Sequence, residues 1–173
     1  MENKTADLLL EKAFIQKEKI VQWADLGCGK GFFTEALARQ LSPGSKIYAV
    51  DKSDGLLLDS LPEIQIAFQK ANFEKEHLDL KNLDGILMAN SFHFVEDKKK
   101  LLKKLSQYLM PDAEFILIEY DTDKANPWVP YPISFLNLKK LFIELGFFSV
   151  EKMADTQSLY SSGRIYSALV KKS

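Results

Sequence analysis

This 173-residue sequence has few of the residues that several protein classes require. Cys28 is the single cysteine, so the chain cannot form an internal disulfide. The two histidines, His77 and His93, lie far from that cysteine and from each other, so they form no zinc-binding motif and we expect no metal site. Lysine and arginine number 23 against 24 aspartates and glutamates. Without a basic excess, nucleic acid is not expected as the main partner.

Long apolar runs are also missing from the sequence. No stretch approaches the roughly 20 residues of a membrane-spanning helix, so no membrane span is expected. The N-terminus has no charged-then-apolar leader with a small-residue cleavage site. Together with the single cysteine, these absences predict a cytoplasmic protein. Hydrophobic residues make up 46% of the chain and charged residues 27%, as in an ordinary globular protein, and we expect one domain over residues 1–173.

A glycine-rich turn lies between an apolar strand and a helix. Gly27, Gly29 and Gly31 alternate there, and glycine permits both a positive φ and a close approach of ligand to backbone. The following helix offers free N–H groups and a partial positive charge to an anionic group. Asp51 ends the next strand, where a carboxylate can bind two ribose hydroxyls. The loop and the carboxylate predict a site for a nucleoside-containing cofactor.

The spacing and charge of this loop favour S-adenosylmethionine over a dinucleotide. The dinucleotide pattern G-x-G-x-x-G would need a third glycine where Phe32 stands. Asp25, beside the loop, would repel a pyrophosphate but attract an ammonium or sulfonium group. S-adenosylmethionine carries both cations, and a carboxylate that suits the helix N-terminus. A nucleotide-dependent oxidoreductase and a tight turn without a ligand are the alternatives.

Residues 24–31, ADLGCGKG, followed by Asp51, resemble the first motif of the class I S-adenosylmethionine-dependent methyltransferases. The resemblance extends over residues 18–170. It implies an α/β fold, a three-layer α/β/α sandwich with a Rossmann-like, mostly parallel seven-stranded sheet and an antiparallel C-terminal hairpin. The alternating segments 147–153 and 164–170 fit that hairpin, because their link is too short for a crossover helix.

Local patterns give further expectations along the chain. Residues 1–18 predict a short N-terminal helix that acts as a small lid. A helix is predicted over residues 53–60, and a strand over 114–119 that follows a turn at 110–112. Residues 120–133 combine prolines with aromatic residues, which favours a loop on the substrate side, with a rigid surface loop as the alternative.

The resemblance implies three groups of cofactor-binding residues. The methionine part would contact one acid and the backbone of the loop: Asp25, Gly27, Gly29 and Gly31. The nucleoside would contact residues that follow the second and third strands: Asp51, Lys52, Asn72 and Phe73. The reacting centre would border the end of the fourth strand: Ala89 and Asn90.

Two of these positions depart from the family pattern. Lys52 stands where the family often has an apolar residue against adenine, although its stem could serve there. Asn72 stands where aspartate is common, and its amide oxygen could still accept a hydrogen bond from the adenine amine. Asn72 in an ordinary turn is the alternative.

Methyl transfer from a sulfonium needs alignment and exclusion of water more than it needs a catalytic triad. A base matters when the acceptor must lose a proton, and His93 is the candidate because it follows the fourth strand. A packed or surface histidine is the alternative role. Residues 90–93, NSFH, lack the Asn/Asp-Pro-Pro-aromatic motif of amino-methylating enzymes, which favours a small-molecule acceptor. An inactive methyltransferase-like module that binds S-adenosylmethionine or a protein partner is the alternative function.

Overall fold

The computed structural model describes residues 3–10, 12–13, 18–58, 61–158 and 163–173. In this part of the chain, seven strands form one sheet: β1 (Gln22–Leu26), β2 (Lys46–Asp51), β3 (Gln65–Lys70), β4 (Leu83–Ala89), β5 (Leu109–Tyr120), β6 (Ser149–Gln157) and β7 (Arg164–Lys171). Four α-helices accompany them: α1 (Asn3–Leu10), α2 (Phe32–Ala38), α3 (Lys98–Leu105) and α4 (Phe135–Glu144). Single 3₁₀ turns cover Phe92–Phe94 and Ser106–Tyr108.

The strand order is β3-β2-β1-β4-β5-β7-β6. The first five strands are parallel, β7 pairs antiparallel with β5, and β6 pairs antiparallel with β7. The predicted sheet and its C-terminal hairpin are therefore confirmed. The chain crosses from one side of β1 to the other between β3 and β4, and ligands of open α/β sheets bind at such a switch point, beyond the carboxyl ends of the strands.

Helices cover both faces of the sheet. One face buries Trp23, Ile47 and Ile116 beneath α1 and α2, and the other buries Met88 and Phe115 beneath α3 and α4. Both faces are apolar, as parallel strands in the centre of such a sheet require. This arrangement is the predicted three-layer sandwich.

Helix α3 shows how the local sequence sets an element. Asp97 caps its N-terminus by accepting a hydrogen bond from the backbone N–H of Lys100 at 2.9 Å. The helix buries Leu101, Leu102 and Leu105. Its lysines fall mainly on the solvent side, because apolar positions three and four apart share one face of a helix.

The helix predicted over residues 53–60 is wrong in its described part, residues 53–58. The backbone N–H of Leu57 donates to the carbonyl of Lys30 at 3.1 Å, so this segment runs alongside the glycine loop. Leu56 and Leu58 pack over Gly31, where an added Cβ would lie 2.5 Å from the Leu58 side chain. Contact with the loop replaces the helix.

Strand β5 begins earlier than predicted and includes residues 110–112. Leu83 pairs with Leu109, and the register between β4 and β5 then shifts before Gly85 pairs with Glu114. A proline in a bulge needs no ladder partner, so Pro111 fits there without ending the strand.

Helix α1 packs into the helical layer rather than standing apart from it. Ala6, Leu9 and Leu10 are fully buried, and Asp7 pairs with Arg39 at the end of α2 at 2.6 Å. The predicted lid over residues 1–18 remains a prediction, since residues 1–2, 11 and 14–17 lie outside the described residues. No helix in the described ranges is long and apolar enough to cross a membrane.

Candidate active site

The glycine-rich loop joins β1 to α2 with three residues at positive φ. The φ angles of Gly27, Gly29 and Gly31 are 82°, 53° and 94°. An added Cβ on Gly27 would lie 2.5 Å from the Cβ of Ser91, so this glycine allows close packing. An added Cβ on Gly29 would meet nothing within 4 Å, so that glycine borders open space. The loop is thus packed at its ends and open in the middle.

Asp25 is the penultimate residue of β1, next to the loop, and is 1% exposed. Its Oδ2 accepts a hydrogen bond from the Thr34 hydroxyl at 2.5 Å. Its Oδ1 is buried and has no hydrogen-bond partner among the described residues. Burial raises the pKa of Asp25 to about 7, although the Thr34 hydrogen bond opposes the rise. A half-satisfied buried carboxylate of this kind suits a cationic ligand.

Asp51 ends β2 on the other side of the loop, with both carboxylate oxygens occupied. Oδ2 accepts from the backbone N–H of Gly29 at 2.9 Å. Oδ1 accepts from the backbone N–H and the hydroxyl of Ser53, each at 2.9 Å. Burial raises the pKa of Asp51, but the hydrogen bonds from Ser53 and Gly29 outweigh it and hold that pKa below its ordinary value. Asp51 therefore fixes the loop as well as bordering the site.

Two cavities adjoin at the carboxyl ends of the strands. The first has a volume of 360 Å³, and the predicted residues that line it are Asp25, Gly27, Gly29, Ala89, Asn90 and His93. The second has a volume of 580 Å³, and its predicted lining residues are Gly27, Gly29, Asp51, Lys52, Asn72, Phe73 and Asn90. Of the predicted site residues, Gly31 alone lines neither cavity. The shared residues make the two cavities parts of one cleft.

Asn90 lies where the two cavities meet. It has a positive φ of 52°, and its backbone N–H donates to the Ile118 carbonyl at 2.8 Å. Its side-chain Oδ1 is buried without a partner in the described part of the chain. Asn90 and Asp25 thus provide two orphaned acceptors in one cleft. An ammonium group is a donor that oxygens of this kind accept from.

The second cavity contains the residues predicted for adenine. The Oδ1 of Asn72 already accepts from the backbone N–H groups of Glu74 and Lys75, at 3.0 and 3.2 Å. Asn72 thus stabilises a turn, which was the alternative role considered for it from the sequence. The carbonyl of Phe73 accepts from the Lys104 ammonium at 2.9 Å, which fixes the turn against α3. Adenine recognition by Asn72 and Phe73 remains a prediction.

His93, which lines the first cavity, forms a buried pair with Glu119. The Nδ1 of His93 lies 2.6 Å from the Oε2 of Glu119, and their side chains are 4% and 1% exposed. The Oε1 of Glu119 accepts from the backbone N–H groups of Phe92 and His93, at 2.8 and 3.2 Å. His93 is therefore a packed histidine that also lines the cleft.

The loop over residues 120–133 borders the first cavity through its tip. Asn126 and Val129 form a bridge, and the Oδ1 of Asn126 accepts from the backbone N–H of Trp128 at 2.9 Å. Trp128 stands at this tip with 84% of its surface exposed and lines the cavity. Lys98 holds the loop near its end by donating to the Tyr131 carbonyl at 2.7 Å. A substrate-side role for the loop remains a prediction.

Two reactive chemistries lack support within the described residues. Burial raises the pKa of the Cys28 thiol far above its ordinary value, which keeps the thiol protonated. No cluster of three or more His, Cys, Asp or Glu side chains there could hold a metal ion.

The sequence did not predict the partner of His93. Glu119 is 26 residues from His93 in the chain, so no local pattern joins the two. Both residues lie at the carboxyl ends of paired parallel strands, where Ala89 is opposite Ile118. The predicted adjacency of these two strands could therefore have indicated that His93 and Glu119 lie close together.

The chain is similar in sequence to known methyltransferases. Residues 24–117, just over half of the chain, match the family model described as a methyltransferase domain. Trans-aconitate 2-methyltransferase of Pseudomonas aeruginosa is 39% identical over 90 residues, which cover 50% of this chain and 31% of that protein. Carboxy-S-adenosyl-L-methionine synthase of Pasteurella multocida is 29% identical over 104 residues, covering 55% and 43%. The chain thus spans less than half the length of these relatives.

Solved structures share the fold over nearly the whole chain. The 1,6-didemethyltoxoflavin-N1-methyltransferase of Burkholderia thailandensis, solved with S-adenosylhomocysteine, has a TM-score of 0.71 at 17% identity, covering 99% of this chain and 78% of that one. An S-adenosylmethionine-dependent methyltransferase of Aquifex aeolicus has a TM-score of 0.67 at 18% identity and is matched over the full length of both chains. At these identities the likeness is one of fold.

Proposed function

The chain belongs to the class I S-adenosylmethionine-dependent methyltransferase family, and on that premise we propose that it is an active enzyme that methylates a small molecule. The observation that carries the proposal is the buried carboxylate of Asp25, whose Oδ1 has no partner among the described residues. It lies beneath a loop of positive-φ glycines and beside a cleft with a second orphaned acceptor, on Asn90. A nucleoside that carries an ammonium and a sulfonium group matches these features.

We propose the following division of the cleft. Asp25 and Asn90 would accept hydrogen bonds from the ammonium group, and Asp51 would accept from the ribose hydroxyls in the second cavity. Lys52 and Phe73 would border adenine there. Bound S-adenosylmethionine would supply the methyl group on a sulfonium, and a sulfonium leaves as a neutral thioether.

The charge of the first cavity bears on the acceptor. Lys30 is the one lysine or arginine among the described residues that line it. Trans-aconitate 2-methyltransferase is named for a tricarboxylate substrate, which several cations would be needed to hold. We therefore propose a small acceptor with little negative charge. A cytoplasmic location is part of the proposal, since a single buried thiol suits a reducing compartment.

Calorimetry on the purified chain tests the proposal, with S-adenosylmethionine, S-adenosylhomocysteine and NADH as ligands. We expect saturable binding of the first two and no binding of NADH, followed by S-adenosylhomocysteine release with an acceptor panel. NADH binding alone would favour the oxidoreductase. Binding of S-adenosylmethionine without turnover of any acceptor, together with a stoichiometric protein partner, would favour the inactive module. Binding of none would reject the cofactor site.

A further inference from the structure

We propose that His93 is the general base of this cleft and that the methyl acceptor is a phenol-type ring hydroxyl. This inference rests on the methyl transfer proposed above and assigns its acceptor class. It begins from the pair formed by His93 and Glu119, which the cofactor does not need.

The hydrogen bonds of Glu119 fix the protonation pattern of the imidazole. Its Oε1 receives the backbone N–H groups of Phe92 and His93, and its Oε2 lies 2.6 Å from the Nδ1 of His93. A carboxylate only accepts hydrogen bonds, so Nδ1 must carry the proton of the neutral ring. The lone pair then resides on Nε2, which has no hydrogen-bond partner among the described residues. This is the tautomer that a general base requires.

The position of the ring is also fixed. The carbonyl of His93 accepts from the backbone N–H of Tyr131 at 2.9 Å, which ties it to the end of the 120–133 loop. Its ring lies 4.3 Å from the ring of Phe94 and 5.9 Å from that of Tyr120, measured between centroids. A buried ring held by Glu119 and flanked by aromatic groups needs no reorientation before it accepts a proton.

The surroundings of His93 indicate a planar acceptor. Phe32, Phe94 and Trp128 line the same cavity with 43%, 56% and 84% of their surfaces exposed. Exposed aromatic side chains around a cavity suit an aromatic ligand, which can pack against their faces and edges. Lys30 is the only lysine or arginine among the described lining residues, so the ligand carries few anionic groups.

The acidity of the acceptor group further restricts which class of acceptor needs His93 as a base. A carboxylic acid is already ionised at neutral pH and a neutral amine is already a nucleophile, so neither needs a base before attack. An aliphatic alcohol is too weak an acid for an imidazole to ionise. A phenol with the pKa of tyrosine lies only about 3.5 units above an ordinary imidazole. Among these oxygen and nitrogen acceptors, a ring hydroxyl is therefore the one for which His93 has most effect.

The proposed step balances as follows. The Nε2 of His93 takes the hydroxyl proton, and the electron pair left on oxygen forms the new bond to the methyl carbon. The electron pair of the broken carbon–sulfur bond stays on sulfur, which becomes a neutral thioether. The imidazolium, stabilised by Glu119, then returns its proton to water.

The test uses a phenol whose anion has its own absorption band, 7-hydroxycoumarin, bound to the full chain with S-adenosylhomocysteine. At a pH below its solution pKa, we expect the anion band to grow on binding to the wild-type protein. His93→Gln should abolish that growth and lower turnover of the same phenol about 100-fold or more. Turnover of 2,4-dinitrophenol, which is already an anion, should fall by less than about threefold. His77→Gln, at the other and exposed histidine, is the matched control and should behave as wild type.

Glu119→Gln tests the positioning role. The amide oxygen can keep the two backbone N–H bonds while its NH₂ donates to Nδ1, which forces the proton to Nε2. Nitrogen-15 NMR of the histidine side chains should therefore show His93 protonated on Nδ1 in the wild type and on Nε2 in the variant. A merely structural role for Glu119 would not move this signal. The variant should lose phenol ionisation as His93→Gln does.

The outcomes separate the two proposals. Failure of S-adenosylhomocysteine to bind would overturn the proposed function, and the acceptor assignment with it. Binding of S-adenosylhomocysteine without binding of the phenol would overturn the acceptor class alone. Phenol that binds but ionises equally in wild type and His93→Gln would overturn the base. An unchanged tautomer in Glu119→Gln would overturn the positioning role.

Discussion

Asp25 and Asp51 flank the same glycine loop at the ends of neighbouring parallel strands, yet their surroundings are opposite. Asp25 is 1% exposed, and its Oδ1 has no partner among the described residues. Asp51 is partly exposed, and Gly29 and Ser53 donate three hydrogen bonds to its oxygens. The pKa of Asp25 is raised by burial, whereas the hydrogen bonds to Asp51 outweigh burial and lower its pKa. The carboxylate of Asp51 therefore fixes the loop, whereas that of Asp25 retains an oxygen without a hydrogen-bond donor among the described residues.

This difference indicates which of the two carboxylates gains a missing interaction when the ligand binds. Asp51 already has its hydrogen bonds in the ligand-free protein, so a ribose would share or exchange them. Asp25 is held in an unfavourable environment that a cation would relieve. Ligand sites often contain such local destabilisation, and the fold around them supports it.

Replacement of Asp25 by asparagine should have the largest effect and act in opposite directions on binding and stability. S-adenosylmethionine affinity should fall about 100-fold or more, because a charged hydrogen bond is lost. The folded pKa is about 7 against an ordinary 3.8, so this group's contribution to stability is present at low pH and is lost as pH rises through 7. At about pH 8 the variant should therefore be more stable by about 2–4 kcal/mol.

Calorimetry and urea denaturation would measure these two effects. The matched control is Asp84→Asn, since Asp84 lies at the opposite end of the sheet and accepts from Gln22 and Lys19. That variant should lose stability and keep its affinity. A loss of stability in Asp25→Asn at about pH 8 would contradict the description of Asp25.

Asp51→Ala should weaken S-adenosylmethionine binding by roughly 1.5–3 kcal/mol, the scale of hydrogen bonds to a charged group. It should also destabilise the free protein, unlike Asp25→Asn, because Gly29 and Ser53 lose their acceptor. Ser53→Ala removes only the hydroxyl donor and is the milder companion. A folded Asp51→Ala with wild-type affinity would remove Asp51 from the site.

Two glycine variants should separate packing from ligand approach. Gly27→Ala puts a Cβ 2.5 Å from that of Ser91 and should cost about 1–3 kcal/mol of stability. Gly29→Ala meets no neighbour within 4 Å and should cost only about 1–2 kcal/mol, through its positive φ. It should still lose ligand affinity, since its side chain enters open space of the cleft. Denaturation and calorimetry on both variants give the comparison, and equal affinity in Gly29→Ala and wild type would reject the loop assignment.

The pH dependence of binding should follow Asp25 alone. A cation binds the ionised carboxylate, whose population in the free protein rises through a pKa of about 7. S-adenosylmethionine affinity should therefore increase about fivefold from about pH 6 to about pH 7. Asp51, with its lowered pKa, is ionised throughout that range and should add nothing. Calorimetry across this range should show the slope in wild type and Asp51→Ala but a flat profile in Asp25→Asn.

Trp128→Ala should have the smallest effect on the cofactor side. The side chain is 84% exposed at a loop tip, so stability should change by less than about 0.5 kcal/mol. Cofactor affinity should be unchanged, while KM for an aromatic acceptor should rise. A lower cofactor affinity in this variant would mean that the loop also covers the Asp25 side of the cleft.

Local sequence patterns predicted individual strands and helices and the C-terminal hairpin, because each strand and helix carries its own periodicity. The layers and the seven-stranded sheet were implied by the resemblance to the family. Family resemblance supplied the placement of the residues around the loop. The pattern failed at residues 53–58, where Leu56 and Leu58 pack over Gly31 and tertiary contact overrides helix capping. It failed again at Pro111, which the bulge in β5 accommodates.

The physical state of the site residues lay beyond sequence reasoning. Nothing in the sequence distinguishes Asp25 from Asp51 as acids, since burial and hydrogen bonding depend on the folded surroundings. The pairing of His93 with Glu119 depends on the adjacency of β4 and β5. The role of the Asn72 side chain also depends on the folded structure, because its oxygen, which was expected to face adenine, accepts hydrogen bonds within a turn.

The contrast between the two tryptophans makes this protein its own optical reporter. Trp23 is 2% exposed within the core, and Trp128 is 84% exposed at the mouth of the cleft. Emission from the first should be blue-shifted and insensitive to quenchers, and emission from the second should be red-shifted and readily quenched by iodide. An aromatic ligand that packs at the mouth should change the red component alone. Fluorescence can therefore follow occupancy of the acceptor side of the cleft without any label.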